Sequence, residues 1–401
     1  MLLFFFFLLV DLLVVVGQLF PFIRILDVFY LAQFTLLSSA GYQLAVVLVA
    51  VTVLFKCGIV FTYGQRVSFE SALLVFNFMI FGYIFKIYGG EGGREDRFWR
   101  VTSNSLVSSQ VFDFIDYRSQ AFLKHSAIEG EPFLELPADA AAVSRWTDLF
   151  ASQGLPEKML LVVNESWGVA HDPRIQQALL KPLHAIARGR GEQGNLPFVG
   201  ATVAGELREL CLLSPNHYNL APVISGFEDC LPNRLKLQGY RTASVHGAVS
   251  LMYDRRNWYP RLGFDESVFF ENNAWSQRCY SFPGACDLDL RDSVSGFLVQ
   301  DGKRFLYWLT LNSHAFYDQR DIRIDRFDCG QFAIAPESLD CRNLKLQAQF
   351  FHGLGELLRS EKLSGMAVLV VGDHAPSLTR VQGADAIFVD GVVPWISFIV
   401  D

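Results

Sequence analysis

The chain has 401 residues, a hydrophobic share of 51% and a formal net charge of −7, with a mean hydropathy of +0.26. That length exceeds one ordinary compact domain, and the apolar excess points to a part of the chain that lies in lipid. The excess sits in the first ninety residues, which carry a net charge of +1 and leave −8 for the remainder; an acidic soluble part argues against nucleic acid as a partner, because binding phosphate backbones requires a clustered basic face.

In chain order, three apolar runs come first: 2–23, 44–63 and 71–88. Each approaches the roughly 20 residues a helix needs to cross a bilayer, so residues 1–90 are expected to hold about three transmembrane helices. The first run lacks the basic leader and small-residue cleavage site of a secretory signal. Asp11 and Lys56 are costly in lipid and are expected to face protein or reach the interface. Lys56 and Arg66 favour a cytoplasmic second connection, which places the C-terminal part outside. The glycine-rich stretch 89–93 is followed by no GK-Ser/Thr and reads as a flexible exit from the membrane. Residues 91–155 read as a juxtamembrane connector, amphipathic over 105–124.

From residue 156 to 401, short apolar runs alternate with helical segments, the pattern of an α/β sheet. Strands are expected at 159–163, 242–245, 305–311, 367–371 and 395–400, and helices at 172–188, opened by Pro173, and at 344–359. Cys57 lies in an apolar run, while Cys211, Cys230, Cys279, Cys286, Cys329 and Cys341 lie in the polar remainder. With no CxxC or Cys/His cluster, the six read as three disulfides in an oxidising compartment; of about 15 pairings, the most local joins Cys211 to Cys230, Cys279 to Cys286 and Cys329 to Cys341.

Ligands of open α/β sheets bind beyond the carboxyl ends of the strands, so polar residues just after apolar runs carry weight. Two such places are Glu165, after 159–163, and Asp373-His374, after 367–371; carboxylate with imidazole suits zinc or manganese. Taken singly, a strand-end Glu is also a helix cap and an Asp-His pair is also a turn. A third is Thr202, set between Gly200 and Gly205 just before a helical run, where it is either an N-cap or a cation-bound hydroxyl of lowered pKa that acts as a nucleophile.

These three segments, in this order and spacing, resemble the alkaline-phosphatase/sulfatase superfamily. The likeness is to its membrane-anchored phosphotransferases, the lipoteichoic acid synthase, phosphoglycerol transferase and phosphoethanolamine transferase group. The resemblance implies an alkaline-phosphatase-like sheet flanked by helices behind an N-terminal transmembrane domain. It implies one divalent metal ion, Mn or Zn, held by Glu165, Thr202, Asp373 and His374, with Gly372-Asp373-His374 matching the family's GDH. The segment Thr310 to Tyr317 is similar to T-x-x-S-H-x-P-Y, which implies that His314 contacts the phosphate or assists the leaving group; Ala315 and Phe316 depart from the pattern. The stretch from His246 through Tyr253 and Arg255 to Asp265 is similar to HG…F-W/Y-N-R…LGFD, implying that His246, Tyr253 and Arg255 bind substrate, although Asp254 replaces the Asn.

No C/S-x-P-x-R motif surrounds Thr202, against sulfatase chemistry, and after His374 come Asp385 and Asp390 but no further histidine, against a two-metal phosphatase. His125, His171, His184, His217 and His352 read as surface or packing residues. The expected function is transfer of a phosphoglycerol-type or phosphoethanolamine head group from a membrane phospholipid to a cell-envelope glycan or lipid-linked acceptor, through a phosphothreonine. The expected place is the bacterial inner membrane, multi-pass, with the catalytic domain periplasmic or extracellular. A hydrolase on the same site, or a non-catalytic envelope-binding member, are the alternatives.

Overall fold

The computed structural model describes residues 25–64, 131–146, 154–189, 191–376 and 387–401, with Leu8 and a few single positions between 68 and 78. The chain forms two compact units, Met1–Val28 with Ala40–Ser126, and Phe29–Ser39 with Ala127–Asp401. Helix α1 is Ile25–Ala32, and α2 (Ala40–Tyr63) belongs to the first unit. At about 1.5 Å per residue, α2 spans roughly 36 Å, more than a hydrocarbon core of about 30 Å. Leu44, Val47, Leu54, Phe55 and Phe61 leave its surface apolar and exposed, and among the described residues it is the one helix long and apolar enough to cross a membrane. It contains the expected run 44–63. The runs 2–23 and 71–88 and the connector 105–124 lie wholly or largely outside the described residues.

The second unit is built on a seven-stranded sheet. Its strands are β2 (Lys158–Asn164), β3 (Glu192–Pro197), β5 (Arg241–His246), β6 (Glu266–Val268), β9 (Arg304–Leu309), β10 (Ala367–Gly372) and β11 (Val392–Ile399). The short strands β1 (Phe133–Glu135) and β4 (Leu213–Pro215) pair antiparallel, as do β7 (Arg278–Cys279) and β8 (Gly284–Ala285). The order across the main sheet is β3-β11-β10-β2-β9-β5-β6. The run from β10 to β6 is parallel, and β11 is antiparallel to both its neighbours. This is an α/β sheet flanked by helices, as expected.

Parallel strands covered on both faces must be apolar on both, and Leu160 to Val163 and Val368 to Val371 are all buried. Leu160, Val162, Leu306, Trp308, Val368 and Val370 share one face with α3 (Pro173–His184), α7 (Asp287–Leu298) and α8 (Leu339–Leu358). Helix α3 opens as its sequence dictates: Asp172 accepts from the Arg174 amide and Pro173 occupies the first turn. On the opposite face, Tyr307 meets α4 (Thr202–Cys211) and α6 (Arg255–Leu262) through Glu206 and Tyr259. Helix α5 is Leu231–Leu237.

Three disulfides close short loops, Cys211–Cys230, Cys279–Cys286 and Cys329–Cys341, the most local pairing. Cys57 is the free cysteine. Loop-closure entropy alone gives a bridge such as Cys211–Cys230, with a separation of 19 residues, a stabilising effect of about 3 kcal/mol.

Candidate active site

Register makes the site. Gly372 lies opposite Asn164, Val163 opposite Leu309, and Leu309 opposite His246, so four parallel strands end flush at one sheet edge. The residues that follow, Glu165, Asp373-His374, Thr310 to His314 and the loop after His246, gather beyond that edge. Thr202 reaches it from the first turn of α4. Two glycines permit the approach. A Cβ on Gly205 would stand 3.0 Å from the Asp373 carbonyl oxygen and one on Gly372 2.2 Å from that of Trp167, so α4 and β10 close on the site only because neither position carries a side chain.

Glu165, Asp373 and His374 are buried, and their donor atoms all lie within 4.8 Å of one another. His374 Nε2 stands 3.4 Å from Glu165 Oε1 and 3.3 Å from Asp373 Oδ2. The half-buried Thr202 hydroxyl donates to Glu165 Oε2 at 3.1 Å. Because the Ala375 carbonyl can only accept, the 2.9 Å contact with His374 Nδ1 puts the proton there and turns the Nε2 lone pair toward the carboxylates. Asp373 Oδ1 accepts from the amides of Ser166 and His374. Its Oδ2 is buried and accepts no hydrogen bond.

Two buried carboxylates that face one imidazole nitrogen repel one another unless a positive charge, a proton on Nε2 or a cation, lies between them. Burial would raise the Glu165 carboxyl, but the imidazoles of His374 and His314 outweigh it and hold it low. Burial and the Glu165 charge push Asp373 up. Against the pull of burial, the charges of Asp373 and Glu165 push His374 up as well. This donor set fits one divalent cation, and the orphaned Asp373 Oδ2 is the atom that most needs one.

A buried polar scaffold that the sequence reading missed fixes Glu165. Its amide donates to Thr310 Oγ1, and its carbonyl accepts from Ser313 Oγ and Gln347 Nε2. Asn164 bridges Gln347 and Thr310, and Ser166 Oγ donates to Glu165 Oε1. Arg208, also missed, ties α4 to the end of β10 by donating to the Gly372 carbonyl at 2.8 Å. Polar residues just after the expected strand at 305–311 were the available signal; their partners, far off in sequence, were not.

Of the expected substrate residues, His246 and His314 lie close enough to Glu165 to act on its charge, and Tyr253 and Arg255 follow in the turn and helix after β5. His246 is buried, with Nδ1 donating to the Leu309 carbonyl at 3.0 Å, and burial, then Arg255, push its pKa down to about 3. It is therefore neutral and offers Nε2 as an acceptor. His314 Nδ1 donates to the Ala315 carbonyl, and its ring packs on Phe282. The loop carrying His314 is pinned by Asp287, which accepts from the amides of Leu311 and Asn312. Tyr253 is half-buried, and the Arg255 guanidinium lies 5.3 Å from its ring centroid.

Arg255 is buried; Glu206, buried too and unforeseen, accepts from Arg255 Nε at 3.1 Å, from Tyr259 at 2.8 Å and from Tyr307 at 3.3 Å. Breaking a buried pair by removing one charge strands the other, a cost of about 3–5 kcal/mol. Glu206→Gln is therefore expected to destabilise the second unit by that amount, read as a lower midpoint in urea. An unchanged midpoint would show that Arg255 does not depend on Glu206.

Residues 198–388 match the Sulfatase family model, a span that includes Thr202, His246, Tyr253, Arg255, His314, Asp373 and His374, with Glu165 lying before it. No curated protein matches the chain. Among solved structures, a protein of the alkaline phosphatase superfamily from Vibrio parahaemolyticus is similar at 19% identity, over 62% of this chain and 61% of that one, with a TM-score of 0.46. The lipoteichoic acid synthase LtaP from Listeria monocytogenes is similar at 14% identity, over 60% of this chain and 65% of that one, at 0.43. The phosphoglycerol transferase GacH from Streptococcus pyogenes, in complex with sn-glycerol-1-phosphate, is similar at 14% identity, over 63% of this chain and 71% of that one, at 0.44. The chain thus spans less than two thirds of the length of the first two.

Proposed function

We propose that the chain is a metal-dependent phosphotransferase, moving a phosphoglycerol-type or phosphoethanolamine head group from a membrane phospholipid to a cell-envelope glycan or lipid-linked acceptor. The single observation that supports it most is the Thr202 hydroxyl, 3.1 Å from Glu165 Oε2 at a helix start, beside two carboxylates and a histidine that together want a cation. In this reading Glu165, Thr202, Asp373 and His374 hold one Mn or Zn ion. When bound, it would lower the hydroxyl pKa and offset charge on the phosphoryl oxygens.

The protein's own groups do the rest. The Thr202 oxygen attacks phosphorus in line, its proton passing to Glu165 Oε2. The bond from phosphorus to the diacylglycerol oxygen breaks, and that oxygen leaves as the alcohol by taking a proton from Nε2 of His314 in its imidazolium form, whose Nδ1 is held by the Ala315 carbonyl; the imidazole left behind takes the acceptor hydroxyl's proton in the second displacement, as Glu165 returns its proton to Thr202. An acceptor hydroxyl then displaces Thr202 and restores it. The first-turn amides and dipole of α4 favour the anion throughout. Arg255 adds a fixed positive charge, and neutral His246 accepts from a head-group hydroxyl. Helix α2 supports the membrane anchoring, in line with an envelope enzyme whose disulfide-bearing unit lies outside the cytoplasm.

The test uses the full chain in vesicles of phosphatidylglycerol or phosphatidylethanolamine labelled in the head group. The expected result is release of diacylglycerol that depends on Mn or Zn, with label transferred to an added glycan. Release of label to water at the same rate without acceptor would make the chain a hydrolase. No diacylglycerol from either lipid would sink the reading.

A further inference from the structure

The segment Phe29–Ser39 belongs to the same compact unit as the site, although its sequence places it among the apolar N-terminal runs. Phe34 is buried in a small apolar cluster with Ala248, Met252, Phe282 and Leu311, against which Tyr30 and Tyr253 also pack. Phe282 is the ring that supports His314, and the Phe34 and Tyr253 rings lie 6.0 Å apart. The Tyr30 hydroxyl donates to Asp254 Oδ2 at 2.9 Å, across 224 residues of sequence. Burial, reinforced by Asp254, raises its pKa, so it remains a donor.

Asp254 sits in a strained place. Tyr253 and Asp254 are consecutive non-glycine residues with φ of 54° and 53°. Side chains rarely adopt this region, and two in succession persist only where neighbours hold them. The Tyr253 carbonyl accepts from Trp258 Nε1, and the Asp254 amide donates to the Leu251 carbonyl. The side chain of Asp254 is held by Tyr30. We propose that Tyr30 is a positioning residue of the head-group site: by holding Asp254 it fixes the left-handed turn that presents Tyr253 between the Phe34 wall and Arg255. The inference rests on the head-group transfer proposed above. It gives the Asp at position 254 a role, since its carboxylate reaches back to a segment continuous with α2, and it implies that a fragment beginning after α2 lacks part of its site.

The experiment compares the full chain, loaded with Mn, with its Tyr30→Phe, Asp254→Ala and doubly substituted forms. Affinities for sn-glycerol 1-phosphate, phosphoethanolamine and inorganic phosphate are measured by calorimetry, each with a melting curve. Tyr30→Phe is expected to weaken the preferred head-group phosphate about 3- to 10-fold, the size of one lost hydrogen bond, while inorganic phosphate binding stays within about twofold. The double variant is expected to be no worse than Asp254→Ala, because both remove the same bond. Additive losses, or unchanged head-group affinity in Tyr30→Phe, would overturn the positioning role, as would equal losses for all three anions with a lowered melting temperature. A parent protein that binds neither head-group phosphate better than inorganic phosphate would overturn the proposed function, and with it the site that Tyr30 is said to shape.

Discussion

Thr202→Ala is expected to lower turnover about 10³-fold or more and to abolish the labelled covalent adduct formed with a head-group-labelled phospholipid. The size follows from what removal of a nucleophile does where binding and electrostatic stabilisation survive. The fold should survive as well. Thr202 is half-buried at the first position of α4, and the helix is capped by the backbone of Ala201 with no side-chain bond, so the loss is confined to one hydrogen bond to Glu165, worth about 1 kcal/mol. A change of that size moves the melting temperature of a unit this large by only about 2–4 °C. Thr202→Ser restores a hydroxyl on the same carbon and should recover both adduct and turnover in part. An adduct that persists in Thr202→Ala would move the nucleophile elsewhere, and inactivity in Thr202→Ser alongside an intact adduct would place the defect in the second displacement.

Asp373→Asn is expected to uncouple metal binding from stability, because the change keeps the shape of the side chain and removes its charge. Asn Oδ1 can still accept from the amides of Ser166 and His374, which bond Asp373 Oδ1 at 2.7 and 2.6 Å. Its Nδ2 would stand where Oδ2 is now, 3.3 Å from His374 Nε2; because the substitution removes the Asp373 charge that pushes His374 up, the imidazole gives up its Nε2 proton more readily and accepts from that Nδ2. The like-charge contact with Glu165 disappears at the same time. In chelator, Asp373→Asn should therefore melt no lower than the parent. With Mn or Zn at about a thousand times its dissociation constant, the parent should gain about 4 kcal/mol, a rise of about 8–16 °C. The variant should gain almost nothing and should lose affinity for the ion about 100-fold or more. A variant that keeps the metal-dependent rise would show that the ion is not held by Asp373, whatever the enzyme's activity.

The two variants separate the parts of the site by readout. Thr202→Ala leaves Glu165, Asp373 and His374 in place, so the metal-dependent rise in melting temperature should be reduced and not lost. Asp373→Asn leaves the Thr202 hydroxyl in place and removes the charge that calls for a cation.

What the sequence determined by itself was local and periodic. The apolar runs of β2, β9 and β10 mark buried strands because a parallel strand has no solvent face. Asp172 and Pro173 mark the start of α3 because the chemistry of a helix start lies within three residues. The cysteines pair with their nearest partners because short loops bring them together. Glu165, Thr202, Asp373 and His374 were legible as polar residues at strand ends and a helix start. Less was visible in β3, whose polar stretch Glu192–Pro197 is a strand because β11 pairs with it, and in the three-residue β6. Only the tertiary structure decided that Glu206 neutralises Arg255, that Asn164, Thr310, Ser313 and Gln347 hold Glu165, and that Tyr30 holds Asp254. Those contacts join residues 49 to 224 positions apart, and they depend on sheet register and helix packing, which set which distant side chains meet. Sequence pattern reports the period of a strand or helix; it carries no measure of distance between two of them.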